Sequence, residues 1–228
     1  MPELDAVSAA LLGAQRRAEE LFAAIVAEGL IVPGKLESEL TSEIHAMAHS
    51  RFGVRRHWHK RVVRAGPNTV MTYHDDPADR RIGADDVVYL DFGPLFEQWE
   101  ADFGRTYALG PDPAKHKLVK DIEVAFHQGK AHFRAHPDLT CGELYDYVSA
   151  LAVGAGWEFG NATAGHLVGH FPHETAPQAI QPLSIRHGNT LRLKAPDPNG
   201  ARRHWILEIH FVDRARQIGG FFEELLTI

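Results

Sequence analysis

The sequence predicts one mixed α+β domain, and three observations lead there. Two amphipathic helical stretches precede a group of short apolar strands, and the same order then repeats. The chain has 228 residues, a length suited to one domain. Its composition, 44% hydrophobic and 24% charged, is that of a soluble globular protein. A chain of this size buries roughly 70% of its unfolded surface, so it needs no disulfide or structural metal to fold. Two α+β halves of similar organisation account for the order, although no sequence repeat is visible.

The elements follow from periodicity and punctuation. Leu11, Leu12, Ala18, Leu21, Phe22 and Ile25 recur at helical spacing between Asp5 and Gly29. Gly29, Pro33 and Gly34 stop that helix. A second helix is expected from Leu36 to His49. Val62-Val63, Val70 to Tyr73 and Asp86 to Asp91 then read as strands between Gly, Pro, Asn and Asp. Asp91-Phe92-Gly93-Pro94 breaks the third, and a returning strand from Glu100 to Leu109 makes a hairpin. Pro113 opens a long helix to His136, and Thr140 caps another from Cys141 to Gly154. Residues 160–177 read as a loop. Strands are expected again at Thr190 to Lys194, Trp205 to Val212 and Gly220 to Leu226, with Ala195 to Gly200 as a turn.

Composition narrows the function. The formal net charge of −6 argues against nucleic acid as a partner. The densest basic run, Arg51 to Arg61, is either a solvated loop or a rim that guides an acidic substrate. Cys141 is the single cysteine, so no internal disulfide forms, which fits a reducing cytoplasm. The N-terminal residues lack the basic and apolar regions of a signal peptide. No uncharged apolar run reaches membrane-spanning length. There are fifteen histidines, many close to Asp or Glu, and histidine is both a common metal ligand and the side chain that titrates near neutral pH.

Asp91 ends a strongly apolar strand, where an unpartnered carboxylate is costly to bury. Asp102 stands eleven residues on, across the hairpin. Two convergent carboxylates repel unless a proton or cation lies between them. A divalent metal answers this; so does an arrangement in which one Asp caps a turn and the other pairs with Arg105. Gly165-His166-Leu167-Val168-Gly169-His170-Phe171-Pro172-His173-Glu174 places three histidines within eight residues, with glycines that let the backbone pass close to a ligand. Glu208 interrupts the apolar strand Trp205 to Phe211 on the face it shares with Ile206 and His210. It is either a ligand or part of a surface edge strand.

These residues together resemble the creatinase/methionine aminopeptidase/prolidase family. "DFGPLFEQWEADFGRTYALG" is similar to that family's hairpin, in which Asp-x-Gly is followed by Asp and an Arg-Thr pair. "GHLVGHFPHE" resembles its Gly-His loop, and "LEIHFVD" with "GFFEELLTI" its last metal glutamate and terminal strand. The resemblance covers about residues 10–228. It implies a pita-bread fold, two pseudo-symmetric α/β halves around a curved antiparallel sheet, as one catalytic domain over residues 1–228 without a separate N-terminal domain. It implies metal ligands at Asp91, Asp102, His166 and Glu208, with Glu208 also a candidate base. His173, seven residues after His166, and His74, seventeen before Asp91, match the family's substrate-facing histidines, and His170 joins them as a candidate substrate contact.

One departure stands out. The family carries a further glutamate in a Thr-x-Glu-Pro motif on the strand before Glu208. Here that stretch reads Leu191-Arg192-Leu193-Lys194-Ala195-Pro196. Ala195 takes the glutamate position, with Lys194 beside it. The expectation is therefore one missing ligand of five, one well-held metal and a weaker second. Lys194 would supply part of the lost charge or contact an acidic substrate group, unless it points to the opposite face.

The implied activity is metal-dependent hydrolysis of a peptide or small amide C–N bond through water held on the metal. Mn, Fe, Co or Zn, one or two ions, suit such a donor set. A creatinase-type enzyme acting on a small non-peptide substrate, and a non-enzymatic binding homologue, are the alternatives. A homodimer is the expected assembly if the chain associates.

Overall fold

The computed structural model describes residues 5–173 and 183–228. Helix α1 (Ala6–Ala27) starts where the Asp5 carboxylate accepts a hydrogen bond from the Ser8 backbone N–H. It buries Leu11, Ala14, Ala18, Leu21, Phe22 and Ile25 along one face. Helix α2 (Glu37–Phe52) ends at Gly53 in the left-handed conformation. The first strands are β1 (Val62–Ala65), β2 (Val87–Phe92), the short β3 (Leu95–Phe96) and β4 (Trp99–Glu100), and β5 (Phe103–Ala108). Helix α3 (Pro113–Ala135) is capped by Asp112. Helix α4 (Cys141–Ala155) is held at its start by a reciprocal Thr140–Glu143 pair. The short β6 (Glu158–Phe159) and the long β7 (Ile206–Asp213) and β8 (Ile218–Leu225) complete the chain.

Six strands form one sheet in the order β1-β2-β5-β8-β7-β6, every pair antiparallel. Two apolar cores lie against it. One joins Phe22, Ile25, Leu40 and Ile44 of α1 and α2 to Val88, Leu90 and Phe92 of β2. The other joins Ile122, Phe126, Leu144 and Val148 of α3 and α4 to Leu207, Ile209 and Phe211 of β7. Each half of the sheet thus has its own helix pair, as the repeated element order led one to expect. Because side chains alternate along a strand, the residues between those core positions turn to the other face. They are Tyr89 and Asp91 on β2, and Glu208 and His210 on β7. Burial of each large aliphatic side chain contributes about 1.5–3 kcal/mol, and this anchors the helical face while the other face carries polar groups.

Two expected strands are not strands. Val70, which opens the expected strand Val70 to Tyr73, ends a 3-10 turn, Gly66–Val70, that has Pro67 in its first positions, and residues 71–73 are bend, coil and turn. Proline offers no N–H to a sheet. Its neighbour Thr69 is tied to β7 and β8 instead: its carbonyl accepts from His210 Nε2, and its hydroxyl oxygen accepts from the Gly219 N–H. The stretch 190–194 bonds to the start of α4, through Cys141 N–H to the Leu191 carbonyl and Leu193 N–H to the Leu139 carbonyl. It therefore runs beside α4 and outside the six-stranded sheet.

Candidate metal centre

The sheet register lines up an acidic row. Asp91 on β2 pairs with Gly104 on β5, Gly104 with Glu223 on β8, and Glu223 with Glu208 on β7. Asp102, two residues before Gly104, projects onto the same face. One step along the strands, Tyr89, Thr106, Phe221 and His210 form a second row, with Tyr89, Phe221 and His210 ring centroids 5.4–6.0 Å apart. A cavity of about 390 Å³ opens above the two rows, and Trp58, Tyr73, His74 and His173 are among its walls.

His166 reaches the row from the loop after β6. That loop runs along β7 as an irregular extra strand: Glu208 N–H donates to the Ala164 carbonyl and Ile206 N–H to the His166 carbonyl. Gly165 makes the approach possible. Its φ is +144°, and a Cβ there would lie 2.0 Å from the Ile206 carbonyl oxygen, so a larger residue is excluded. His166 Nδ1–H donates to the Leu167 carbonyl at 2.8 Å. Its Nε2 faces Asp102 at 3.1 Å, Glu208 at 3.3 Å and Glu223 at 3.9 Å.

Four buried carboxyls in one place strain their own ionisation. Burial, reinforced by Asp102 and Glu208, pushes Asp91 up to about 7 against the pull of His59. Burial likewise lifts Glu208 to about 7, although His166 opposes it. Glu223 is raised well above its ordinary range by burial and the neighbouring carboxylates. Asp102 goes the other way: burial would raise it, but His59 and His166 hold it well below the usual range. For the two imidazoles burial is the largest influence and acts downward. The facing carboxylates outweigh it and hold both at about 9. Glu223 Oε2 is buried without a hydrogen-bond partner among the described residues. An orphaned buried carboxylate oxygen in an acidic cluster fits a cation, and so does the donor set, mostly oxygen with imidazole nitrogen. Ligand atoms of His59, Asp91 and Asp102 lie within 4.8 Å of one another, as do those of Asp102, His166 and Glu223.

The structure brings Asp91, Asp102, His166 and Glu208 together and places His173 and His74 on the same cavity. His173 is fixed by Glu100, a buried side chain on β4 that accepts from His173 Nδ1–H at 2.7 Å and from the His173 and Gly169 backbone N–H groups. His74 is exposed at the rim with its ring against Tyr73. Two residues fall elsewhere. His170 is exposed and packs on Trp99, outside the cavity lining. Lys194 lies over the Phe133 ring at 4.8 Å, in a separate hollow with Arg134 and Arg203. It cannot offset charge in the acidic row, because the bonding of residues 191–193 to the start of α4 carries it away. Nor is an acidic group lacking. Glu223, from β8, brings a fourth carboxyl to the row. Pairing of one of the two Asp residues with Arg105 is not what the structure shows. Arg105 donates to Glu224 at 2.5 Å and lies between the Phe103 and Phe222 rings. Glu174 lies outside the described residues.

The sequence reading missed Glu223, His59, Trp58 and Glu100. Alternation places Glu223 on one strand face with Phe221, but only the β7–β8 register sets that face opposite Glu208. His59 was hidden in the basic run, where Trp58 beside it was the nearest apolar signal that the segment turns inward. The Trp58 ring packs edge-on against His59, His166 and His173.

A helix-backed antiparallel sheet with an acidic, imidazole-bearing cavity on its open face is the architecture of a pita-bread metal enzyme. Residues 9–198 match the model of metallopeptidase family M24, and the chain belongs to that family. Among curated proteins it is 28% identical over 145 residues to an Xaa-Pro dipeptidase of Pyrococcus horikoshii, covering 63% of this chain and 40% of that protein. It is 25% identical over 178 residues to an Xaa-Pro dipeptidase of Lactobacillus helveticus, covering 78% and 46%. The chain thus spans less than half the length of these relatives. Among solved structures, an Xaa-Pro dipeptidase from Bacillus anthracis superposes with a TM-score of 0.76 at 21% identity, over 99% of this chain and 61% of that one. A prolidase from Thermococcus sibiricus gives 0.74 at 23%, over 93% and 53%. These likenesses establish the pita-bread fold. Glu208 and Glu223 lie beyond the stretch matched by the family model, and the β7–β8 register sets them opposite each other. Among the described residues, no helix is long and apolar enough to cross a membrane.

Proposed function

We propose that this chain hydrolyses a peptide or small amide C–N bond at a centre held by Asp91, Asp102, His166, Glu208 and Glu223. The observation that carries the reading is the row of four carboxyls, three of which face the Nε2 of His166, with Glu223 Oε2 buried and, among the described residues, unpartnered. One or two divalent transition ions, Mn, Fe, Co or Zn, suit these donors. A bound divalent cation would supply acidified water and a polarised carbonyl. Asp102, within reach of both imidazoles, is the residue on which the whole set depends.

The chain's own groups then divide the work. His173, oriented by Glu100, keeps its Nδ1–H on that carboxylate and turns Nε2 toward the cavity to steer the substrate carbonyl. His74 contacts the substrate from the rim. Glu208 takes the proton released by attacking water at its carboxylate and returns it to the leaving nitrogen, as general base and then acid. The aromatic row of Tyr89 and Phe221, with Met71 and Tyr73 beside it, gives an apolar wall for a compact side chain. The names of the relatives point to Xaa-Pro dipeptides as the first substrates to try. A cytoplasmic homodimer is the setting this reading expects, and the buried free thiol of Cys141 is compatible with a reducing compartment.

The test is metal content by elemental analysis of protein purified without chelator, with Asp102→Ala as control, alongside Mn- and Co-dependent cleavage of Xaa-Pro dipeptides and small amides. One or two equivalents lost in the variant, with cleavage of either substrate class, support the reading. Absence of metal from both proteins after Mn or Co addition overturns it.

A further inference from the structure

We infer that His59 is a nitrogen ligand of this same centre, so that the cation site carries two imidazoles. The inference rests on the metal-dependent reading above and deepens it.

His59 Nε2 lies 2.9 Å from Asp102 Oδ1 and 3.6 Å from Asp91 Oδ1. Its Nδ1 is 2.6 Å from the Lys60 carbonyl. A carbonyl can only accept, so Nδ1 carries a proton. The neutral ring then points its Nε2 lone pair straight at carboxylate oxygens, an arrangement of acceptor against acceptor. Either a second proton or a cation must lie between them. His166 has the same construction: Nδ1–H on the Leu167 carbonyl and Nε2 against Asp102. Anchoring of the distal N–H on an acceptor is the way proteins fix the tautomer and aim of a ligating imidazole. Asp102 is common to both groups, His59–Asp91–Asp102 and Asp102–His166–Glu223. The geometry gives each of two cation positions one imidazole and a shared carboxylate.

His59 is also held in place by the backbone. Trp58 N–H donates to the Gly93 carbonyl and Leu95 N–H to the Arg56 carbonyl, which lays residues 56–58 along the turn after β2. The imidazole lies on the Cα of Gly93, where a Cβ would sit 2.2 Å from the ring. Trp58 covers it with an edge contact at 4.5 Å, and the His59 side chain is 8% exposed. Gly93 of the Asp-Phe-Gly motif therefore makes room for His59. A second nitrogen donor shifts metal preference from Mn toward Co or Zn.

The deciding experiment counts imidazoles on the bound ion. The full chain, with and without ¹⁵N in its histidine rings, is loaded with Mn(II) and examined by electron spin echo envelope modulation. Two imidazole couplings in the wild type, one surviving in His59→Gln and the other in His166→Gln, support the inference. So does a loss of affinity of about tenfold or more for one Mn equivalent in His59→Gln, measured by calorimetry. A fully loaded wild type with a single imidazole coupling, absent in His166→Gln, overturns it while leaving the metal-dependent reading intact. A wild type that binds neither Mn nor Co overturns both. Because the count is made on the wild type, misfolding of a variant does not blur the result.

Discussion

The two hairpins that feed the cavity, β2–β5 and β7–β8, each deliver two acidic residues, and they do so by different means. In β7–β8 the strands pair without interruption from Ile206↔Leu225 to Asp213↔Ile218, and Glu208 and Glu223 are direct register partners. In β2–β5 the small β3–β4 arm interrupts the turn. Asp102 consequently lies just before β5 and two residues out of line with Asp91, whose register partner is Gly104. The uninterrupted hairpin fixes its carboxylates by register alone, so a shift of one residue would turn either one to the opposite face. The interrupted hairpin fixes its pair by an inserted arm that also carries Glu100 and, through it, His173. In the proposed centre the plain hairpin sets its two carboxylates by register, while the elaborated one ties its pair to His173 through Glu100.

The largest test of this contrast exchanges neighbours on β8. Glu223→Gln is expected to lose at least one equivalent of bound metal. It should lower hydrolysis by more than the roughly 10–100-fold that loss of a metal site's outer partners costs. Glu224→Gln, one residue on and facing the other way, should keep its metal. It should instead destabilise the fold by about 1.5–3 kcal/mol in urea unfolding, since Arg105 loses a charge-assisted partner. Equal metal loss in both variants would mean that register does not decide the site.

Glu100→Gln probes the inserted arm. It leaves the metal ligands untouched and replaces the acceptor of His173 Nδ1–H. We expect kcat to fall about 10–100-fold at unchanged metal content. Unchanged kcat would disconnect the arm from catalysis.

The pH dependence of the metal-free protein sharpens the picture of four crowded carboxyls. Asp91 and Glu208 titrate near 7 in the folded chain, against ordinary values of 3.8 and 4.5, and Glu223 is raised too. Between those values the folded state binds more protons than the unfolded one, so stability falls as pH rises through about 7. His59 and His166, at about 9 against 6.5, have the same sign: their contribution is complete below the unfolded value and lost as pH rises through about 9. Asp102 has the opposite sign and acts only in the acid range. The imidazoles of His57 and His210, pushed down by burial to about 3 and about 4, have the opposite sign up to the unfolded value of 6.5. The Tm of metal-free protein should therefore decline from about pH 7 to about pH 9, while the gain in Tm on adding Mn grows, because ligands bind metal deprotonated. Scanning fluorimetry at matched ionic strength reads both; a rising metal-free Tm would contradict the crowding.

The smallest effect is expected at Lys194, which the family pattern brought next to the site and the structure removes. Lys194→Ala should leave metal content and kcat/KM unchanged and stability within about 0.5 kcal/mol. A marked rise in KM would return this residue to the substrate path.

The sequence by itself determined the helices α1, α3 and α4, whose caps and apolar spacing are local signals, and the alternation that separates core positions from Asp91 and Glu208. It also marked Asp91, Asp102, His166, His173 and His74, since those residues sit in short motifs whose spacing is a property of the chain. What it left undecided depends on contacts between distant segments. Glu223 and Glu224 are equivalent as letters, and only the β7–β8 register directs the first to the cavity and the second to Arg105. Residues 190–194 alternate apolar and polar as a strand does, yet their backbone groups bond to the start of α4, so Lys194 leaves the site. His59 sits in a run of basic residues, and only pairing with the Gly93 turn brings its imidazole onto Asp102. Local propensity and motif spacing are written along the chain; which face a residue presents, and what it meets there, is set by hydrogen bonds to partners far away in sequence.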